Sequence, residues 1–458
     1  MKKHDYSRFL RVQKRKLRKA LTRKRKNRQY KDNYKTFTKI KEFQQKHDIK
    51  VIENTDNQLN TFLENTIDAF NGIITQEIPV PEIFSMEKDY DATIRYIDLI
   101  RKSMNRNLGK KIVIDFTNCT DVDFSSLFFL KVIMDEYIDF YRKLDNKLLT
   151  TITKPEIEII HSTNQEVNLK LLANQLIPIA KASSAKFIPI SSLNLIKGSK
   201  SQKHYTENRK GIAATQIRNY FNTGLIRRGF CLYDKSVSSL DGIISEILNN
   251  AEDHSPFNTW YAFANLFETN KVGSNTNIVG ELNLAFLNFG YSIYEGFEES
   301  KIQNSVVYDQ MDRMYDYIHN KKDGKDFTKE NLFTLYALQE GISRLKFETE
   351  SRGTGTMKFI NSFLEIGDYE DKNNDYIPYL LIYSGNTILK CSNKYRPFLI
   401  DRVNYLSLNI NKTLSEPPDN SHLGSLNFKF PGTLLLVKVY LNGNHLKEKL
   451  EKNGTKDF

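Results

Sequence analysis

The stretch Glu246-Ile-Leu-Asn-Asn-Ala-Glu-Asp-His-Ser255 combines a helical apolar stripe with a polar stripe. Ile243, Ile244, Ile247, Leu248 and Ala251 fall at helical spacing. Glu246, Asn250 and His254 stand at i, i+4 and i+8, so they stack on one face of that helix. A carboxylate one turn from a carboxamide suits a site that holds a metal and a water. Mg²⁺ takes hard oxygen ligands and keeps several waters, and a nearby carboxylate can accept a proton from an attacking water. The plainer alternative is a helix that turns a polar face to solvent.

Downstream, Thr259-Trp-Tyr-Ala-Phe-Ala-Asn-Leu-Phe267 and Glu281-Leu-Asn-Leu-Ala-Phe-Leu-Asn288 read as strands. The polar loop between them carries Gly273, Ser274, Asn275 and Asn277, which predicts an antiparallel pair. The second strand runs into Asn288-Phe-Gly-Tyr-Ser-Ile293. Residues 293–350 are polar, with helical segments expected at Val306–Ile318 and Asn331–Leu338. Then comes Ser351-Arg-Gly-Thr-Gly-Thr-Met-Lys-Phe-Ile360, two glycines ahead of a helical pattern. Such a turn leaves backbone N–H groups free to face an anion. Tyr379–Asn386 and Thr387–Lys390 suggest a hairpin, and Phe430–Tyr440 a closing strand that begins with Gly432-Thr433.

The opening stretch resembles the N box, E-x-x-x-N-A-x-x-H, of the Bergerat-fold or GHKL family of ATPases and kinases. Three further elements resemble that family's motifs in the same order. Asn288-Phe-Gly290-Tyr-Ser292 stands where the family has D-x-G-x-G, with asparagine for the aspartate and serine for the second glycine. Arg352-Gly353-Thr354-Gly355 is similar to the second glycine box, and Gly432-Thr433 to the family's last strand. The resemblance covers roughly 240 residues. It implies ATP and Mg²⁺ as cofactors and phosphoryl transfer by positioning and charge neutralisation. In that scheme Glu246 orients or deprotonates the nucleophile, and Asn250 holds Mg²⁺ through its carbonyl oxygen. Arg352, Gly353, Thr354 and Gly355 cradle the phosphates; Asn288, Gly290 and Thr433 surround the base. The 293–350 excursion would be the lid, and His254 a structural residue.

Upstream, strands and helices alternate. Ile78–Ser85 reads as a strand or extended entry, Tyr90–Met104 as a helix and Lys111–Phe116 as a buried strand. Ser125–Tyr141 follows as a helix capped by Ser125 or Asp123, then Glu156–Ile160 as a strand and Asn168–Leu176 as a helix. That alternation predicts a mostly parallel sheet. Ile112-Val-Ile-Asp-Phe-Thr-Asn118 followed by Val122-Asp-Phe-Ser-Ser-Leu127 resembles the STAS domain of anti-sigma-factor antagonists, with Phe124 inserted and Leu127 at the usual glycine. The resemblance makes Ser125 or Ser126 a phosphorylation candidate; the ordinary role there is a helix cap. Residues 205–245 lead into the N box, with a helix and turn around Asn219–Phe230.

Charge divides the chain unevenly. Residues 2–31 hold fifteen Lys or Arg against Asp5, a balance of +14, while the whole chain carries +12. A basic arm neutralises phosphates without reading sequence, so nucleic acid is one candidate partner and an acidic protein another. Cys119, Cys231 and Cys391 lie far apart with no metal spacing, the pattern of a reducing, cytoplasmic compartment. No apolar run suits a membrane span.

The expected plan is an α/β chain. A basic helical arm (1–50) precedes a STAS-like α/β domain (51–204), a GHKL ATP-binding sandwich (205–445) and a polar tail (446–458). The expected function is an ATP-binding, ATP-hydrolysing regulator whose nucleotide state controls a protein partner, in a nucleic-acid-associated or defence complex, with homo-oligomers open. The alternatives are a serine kinase acting on a STAS-like domain and a non-catalytic nucleotide-binding scaffold.

Overall fold

Short runs rich in β-branched side chains build the first sheet. Lys111–Asp115 (β2) lies between Glu77–Pro79 (β1) and Glu156–Ile160 (β3), all parallel, with Ile78 beside Ile114 and Ile114 beside Ile159. Three helices accompany it: α1 (Tyr90–Arg106), α2 (Phe124–Asp145) and α3 (Gln165–Ala173). Each opens on a side-chain cap, which offsets the unpaired N–H groups of a first turn. Asp89 accepts from Ala92 N at 3.0 Å, Asp123 from Ser126 N at 2.7 Å and Asn164 from Glu166 N at 2.9 Å. The cap of α2 is therefore Asp123 rather than Ser125. The structure, a computed structural model, describes residues 11–16, 41–47, 58–145, 147–148, 156–178, 190–199, 209–227, 234–253, 257, 259–268, 278–342, 355–366 and 377–444. Within the basic arm residues 11–16 are helical, as are 41–47; the remainder of the arm and the polar tail beyond Asn444 lie outside the described residues.

The second sheet is antiparallel and six-stranded. Its strands are β4 (Ile190–Ser192), β5 (Ile196–Ser199), β6 (Thr259–Glu268), β7 (Ile278–Phe289), β8 (Tyr379–Ser392) and β9 (Leu423–Asn442). The order is β8-β9-β7-β6-β4, with β5 also paired to β6. The sheet thus begins at Ile190, ahead of residue 205. The hairpin expected at Tyr379–Lys390 is instead the single strand β8. Gly385 takes φ +57, and the register against β9 shifts on both sides of it, so the glycine makes a bulge and not a reversal.

Alternation along these strands feeds two cores. Trp260, Ala262, Ala264, Leu284, Phe286, Leu380, Ile382, Val437 and Val439 face a helical layer. That layer contains α4 (Arg209–Ile226), α5 (Asp234–Asp253), α6 (Ile293–Glu299), α7 (Ser305–His319), α8 (Lys329–Ala337) and α9 (Gly355–Ile366). Tyr261, Phe263, Ala285, Leu287, Leu381, Leu434 and Leu436 face the other way, into one core with Ile112, Ile114 and helices α1 and α2. This explains Leu127-Phe-Phe-Leu130, four consecutive residues with no exposed surface. A helix buried on all sides needs neighbours on all sides. Phe128 stacks on Phe263 of β6 at 6.0 Å, and Phe129 meets Phe289 and Phe430. Burying one such phenylalanine contributes roughly 1.5–3 kcal/mol.

The segment expected as a lid is packed as far as Ile342: Leu332, Phe333 and Leu335 of α8 belong to the helix-side core, and Tyr308 of α7 meets Phe333. Among the described residues no helix is long and apolar enough to cross a membrane.

Candidate nucleotide site

Helix α5 carries the opening stretch, as far as Asp253, across the helix-covered face of the sheet. Ile244, Ile247, Leu248 and Ala251 sink into the core, leaving Glu246 and Asn250 half-buried on the neighbouring face. The helix is fixed to α4 by two ion pairs, Arg218–Asp241 at 2.8 Å and Lys210–Glu252 at 2.7 Å. Glu252 has no exposed surface. A paired buried charge is tolerated where an unpaired one is costly, so these bonds set where α5 lies along α4.

Below lies a row of four residues in register on four strands. Trp260 pairs with Asn288, Asn288 with Thr433, and Thr433 with Ser384. Each shares the parity of its strand's helix-facing residues, so all four stand on that face. Ser384 Oγ accepts from Ile293 N at 2.8 Å and lies 2.9 Å from Thr433 Oγ1. Asn288 is 4% exposed, and its Nδ2 has no hydrogen-bond partner; Trp260 Nε1, fully buried, also has none. Buried donors without acceptors are uncommon and costly, commonly about 1–3 kcal/mol each.

Backbone geometry opens the same spot. Gly290 has φ +129 and Gly432 φ +137, a region that L side chains rarely adopt. A Cβ on Gly432 would lie 2.1 Å from the carbonyl oxygen of Asn288. Gly290 N donates to Pro431 O at 3.3 Å, holding the turn beside β9. The chain then enters α6 at Ser292, whose hydroxyl accepts from Glu295 N at 3.1 Å while Ser292 N donates to the Glu295 carboxylate at 2.8 Å. That reciprocal cap uses an extended backbone, φ −66 and ψ 166, which needs no glycine. Serine in place of a second glycine therefore has a local cause. Glu295 also pairs with Lys429, which keeps its carboxylate ionised below the ordinary range despite burial.

The structure brings Asn288, Gly290 and Thr433 together where the end of β7 meets the middle of β9. It runs Glu246 and Asn250 over the same face on α5. Gly355 begins α9, which packs beside α5 and against β8 and β9. Arg352, Gly353, Thr354 and His254 lie outside the described residues. Ser384 is a member of the row that sequence reasoning missed; its signal was a hydroxyl in an otherwise apolar strand, just ahead of a glycine.

The sheet face thus offers an orphaned amide, and the helix packed on that face a half-buried carboxamide and carboxylate, groups of the kind a nucleotide takes up. Among the described residues no three His, Cys, Asp or Glu side chains gather as a metal site. A Mg²⁺ at Asn250 would draw its remaining ligands from phosphate oxygens and water, the usual preference of that ion.

The candidate phosphoacceptors of the first unit are closed in. Ser125 and Ser126 have no exposed surface. Ser125 Oγ donates to Asp123 at 2.7 Å, and Ser126 Oγ donates to Phe84 O at 2.8 Å. Comparison with protein-family models, with curated proteins and with solved structures gives no match.

Proposed function

We propose that this chain binds and hydrolyses Mg-ATP as a GHKL-type regulator, with a STAS-like unit seated on the back of its Bergerat-type sheet. The observation that carries the proposal is the Asn288–Thr433–Ser384 row. It combines an unsatisfied buried amide with two positive-φ glycines, beneath the helix that bears Glu246 and Asn250. The base would lie on Asn288, Gly290 and Thr433. Glu246 would orient or deprotonate the attacking water, and Asn250 would offer its carbonyl oxygen to Mg²⁺, which supplies charge neutralisation at the phosphates. Arg352, Gly353, Thr354 and Gly355 would hold the phosphate chain. The shared core between the sheet and α1–α2 gives nucleotide binding a route to the STAS-like unit and through it to a protein partner. The basic arm would add contact with nucleic acid in a cytoplasmic assembly.

A non-catalytic scaffold is the second reading. It is favoured by Asn288, which offers a donor where an aspartate would only accept, and by the capped Ser292. The kinase reading gains nothing from Ser125 or Ser126 as acceptors in cis, since both hydroxyls are buried.

The test is nucleotide binding and phosphate release by the full chain, beside Glu246→Ala. Hydrolysis in the wild type should fall by about 100-fold or more in the variant, the scale of a lost general base, while ATP affinity stays within a few-fold. Binding without release in the wild type would select the scaffold. Failure to bind any nucleotide would end the proposal.

A further inference from the structure

A second polar row crosses the opposite face of the same sheet. Tyr379 pairs with Lys438, Lys438 with Asn283, and Asn283 with Asn265. Their parity is that of Tyr261, Ala285, Leu381 and Leu436, so they point toward the parallel α/β unit. There they floor a cavity of about 430 Å³ between that unit and the sheet, a size within the range of small-molecule pockets.

The charged groups in this cavity are already engaged. Lys438 lies 3.2 Å from Glu281, and Lys88 2.7 Å from Asp121. Asp123 accepts from Ser85 Oγ, Glu87 N, Ser125 Oγ and Ser126 N. The floor amides are not fully engaged. Asn283 Nδ2 donates to Asn265 Oδ1 at 3.0 Å and also to Glu281, which fixes the orientation of both amides. This leaves Asn265 Nδ2 and Asn283 Oδ1 without partners on residues 0% and 1% exposed. One free donor beside one free acceptor is the complement of an amide-like edge. Half-buried Phe124 and Phe267 add flat apolar surface to the same walls. With five carboxylates against three lysines around it, the cavity disfavours an anion.

We infer that this cavity is a second ligand site, taking a neutral planar heterocycle of the nucleobase or nucleoside class whose donor–acceptor edge pairs with Asn265 and Asn283. Its ring lies against Phe124 or Phe267. A triphosphate is excluded by the charge balance, which separates this site from the one on the helix-covered face.

The experiment is calorimetric titration of the full chain with adenosine, guanosine, cytidine and uridine, with and without saturating Mg-ATP. At least one nucleoside should bind saturably and keep its affinity in the presence of Mg-ATP. Asn283→Leu should weaken it about tenfold or more, the loss expected for buried hydrogen bonds to a ligand. The same variant leaves the buried Asn265 Oδ1 without its donor and should melt somewhat below the wild type. Asn265→Ser, which shortens the floor without adding bulk and leaves Asn283 Nδ2 its bond to Glu281, carries the same binding expectation. Three results would overturn the inference: no nucleoside binds, binding is unchanged in both variants, or Mg-ATP displaces the nucleoside.

Discussion

The two polar rows stand five residues apart on every strand they share: Trp260 and Asn265, Asn288 and Asn283, Thr433 and Lys438, Ser384 and Tyr379. An odd separation puts them on opposite faces, about 17 Å apart along the strands. The helix-side row is uncharged and bordered by glycines whose backbone departs from strand geometry. The α/β-side row carries Lys438 and Tyr379 and lies in regular ladder; Lys438 pairs with Glu281 of the sheet, and Tyr379 donates to Glu87 of the other layer. Both rows leave carboxamide atoms unsatisfied. In the two proposed sites, a ligand would therefore be admitted on one face by a bent backbone and on the other by two layers held apart.

That contrast is broken most directly at Gly432. Gly432→Ala places a methyl 2.1 Å from the Asn288 carbonyl oxygen at a φ of +137, so β7 and β9 must separate locally. We expect a loss of about 3 kcal/mol in denaturant unfolding together with loss of nucleotide binding. Gly424→Ala on the same strand has no atom nearer than 3.7 Å and should be close to neutral. Equal effects from the two would show that the glycine-bordered row is no more constrained than ordinary strand.

Asn288→Asp sharpens the comparison chemically. An aspartate accepts only, so it should favour a base with an amino group rather than a carbonyl at the six-position, shifting the preference for ATP over inosine triphosphate by about tenfold toward ATP, the scale of one charge-assisted hydrogen bond. Placed at a site 4% exposed, the carboxylate should also lower the melting temperature without nucleotide. An unchanged preference would place the base away from Asn288.

How far these features are legible in the sequence depends on their physical cause. The strands β2, β6 and β7 and helices α1, α5 and α7 follow from apolar periodicity, which records burial and little else. Ser292 stood out as a departure from a motif, and only the cap with Glu295 explains it. The bulge at Gly385 read as a turn because a glycine between apolar runs has the same local signature in both; what distinguishes them is the partner strand β9, far along the chain. The α/β-side row escaped notice for a similar reason. Asn265, Asn283 and Lys438 look like the polar half of an ordinary alternating strand. They become unusual only once α1 and α2 cover that face. The parity itself was available: each shares its face with aromatic or aliphatic neighbours two residues away.

The smallest expected effect concerns the roof of the second row. Tyr379 donates to the Glu87 carboxylate, whose oxygens lie 2.8 and 2.7 Å away. Surrounding protein raises the Glu87 pKa above its ordinary value; the neighbouring Asp123 carboxylate adds to the rise, and the bond from Tyr379 opposes it. A carboxyl whose pKa is raised on folding stabilises the fold fully below its unfolded pKa, and that contribution is lost as pH rises through the folded value. Glu87→Gln keeps an acceptor for Tyr379 and removes the titration. The variant should therefore be slightly more stable than the wild type at neutral pH, by under about 1 kcal/mol because Glu87 opens onto the cavity. The difference should vanish or reverse in mild acid. Melting curves of both proteins from pH 4 to 8 measure it. A gap that is constant across that range would mean that Glu87 titrates as it does in the unfolded chain, and that the layers are held apart by packing alone.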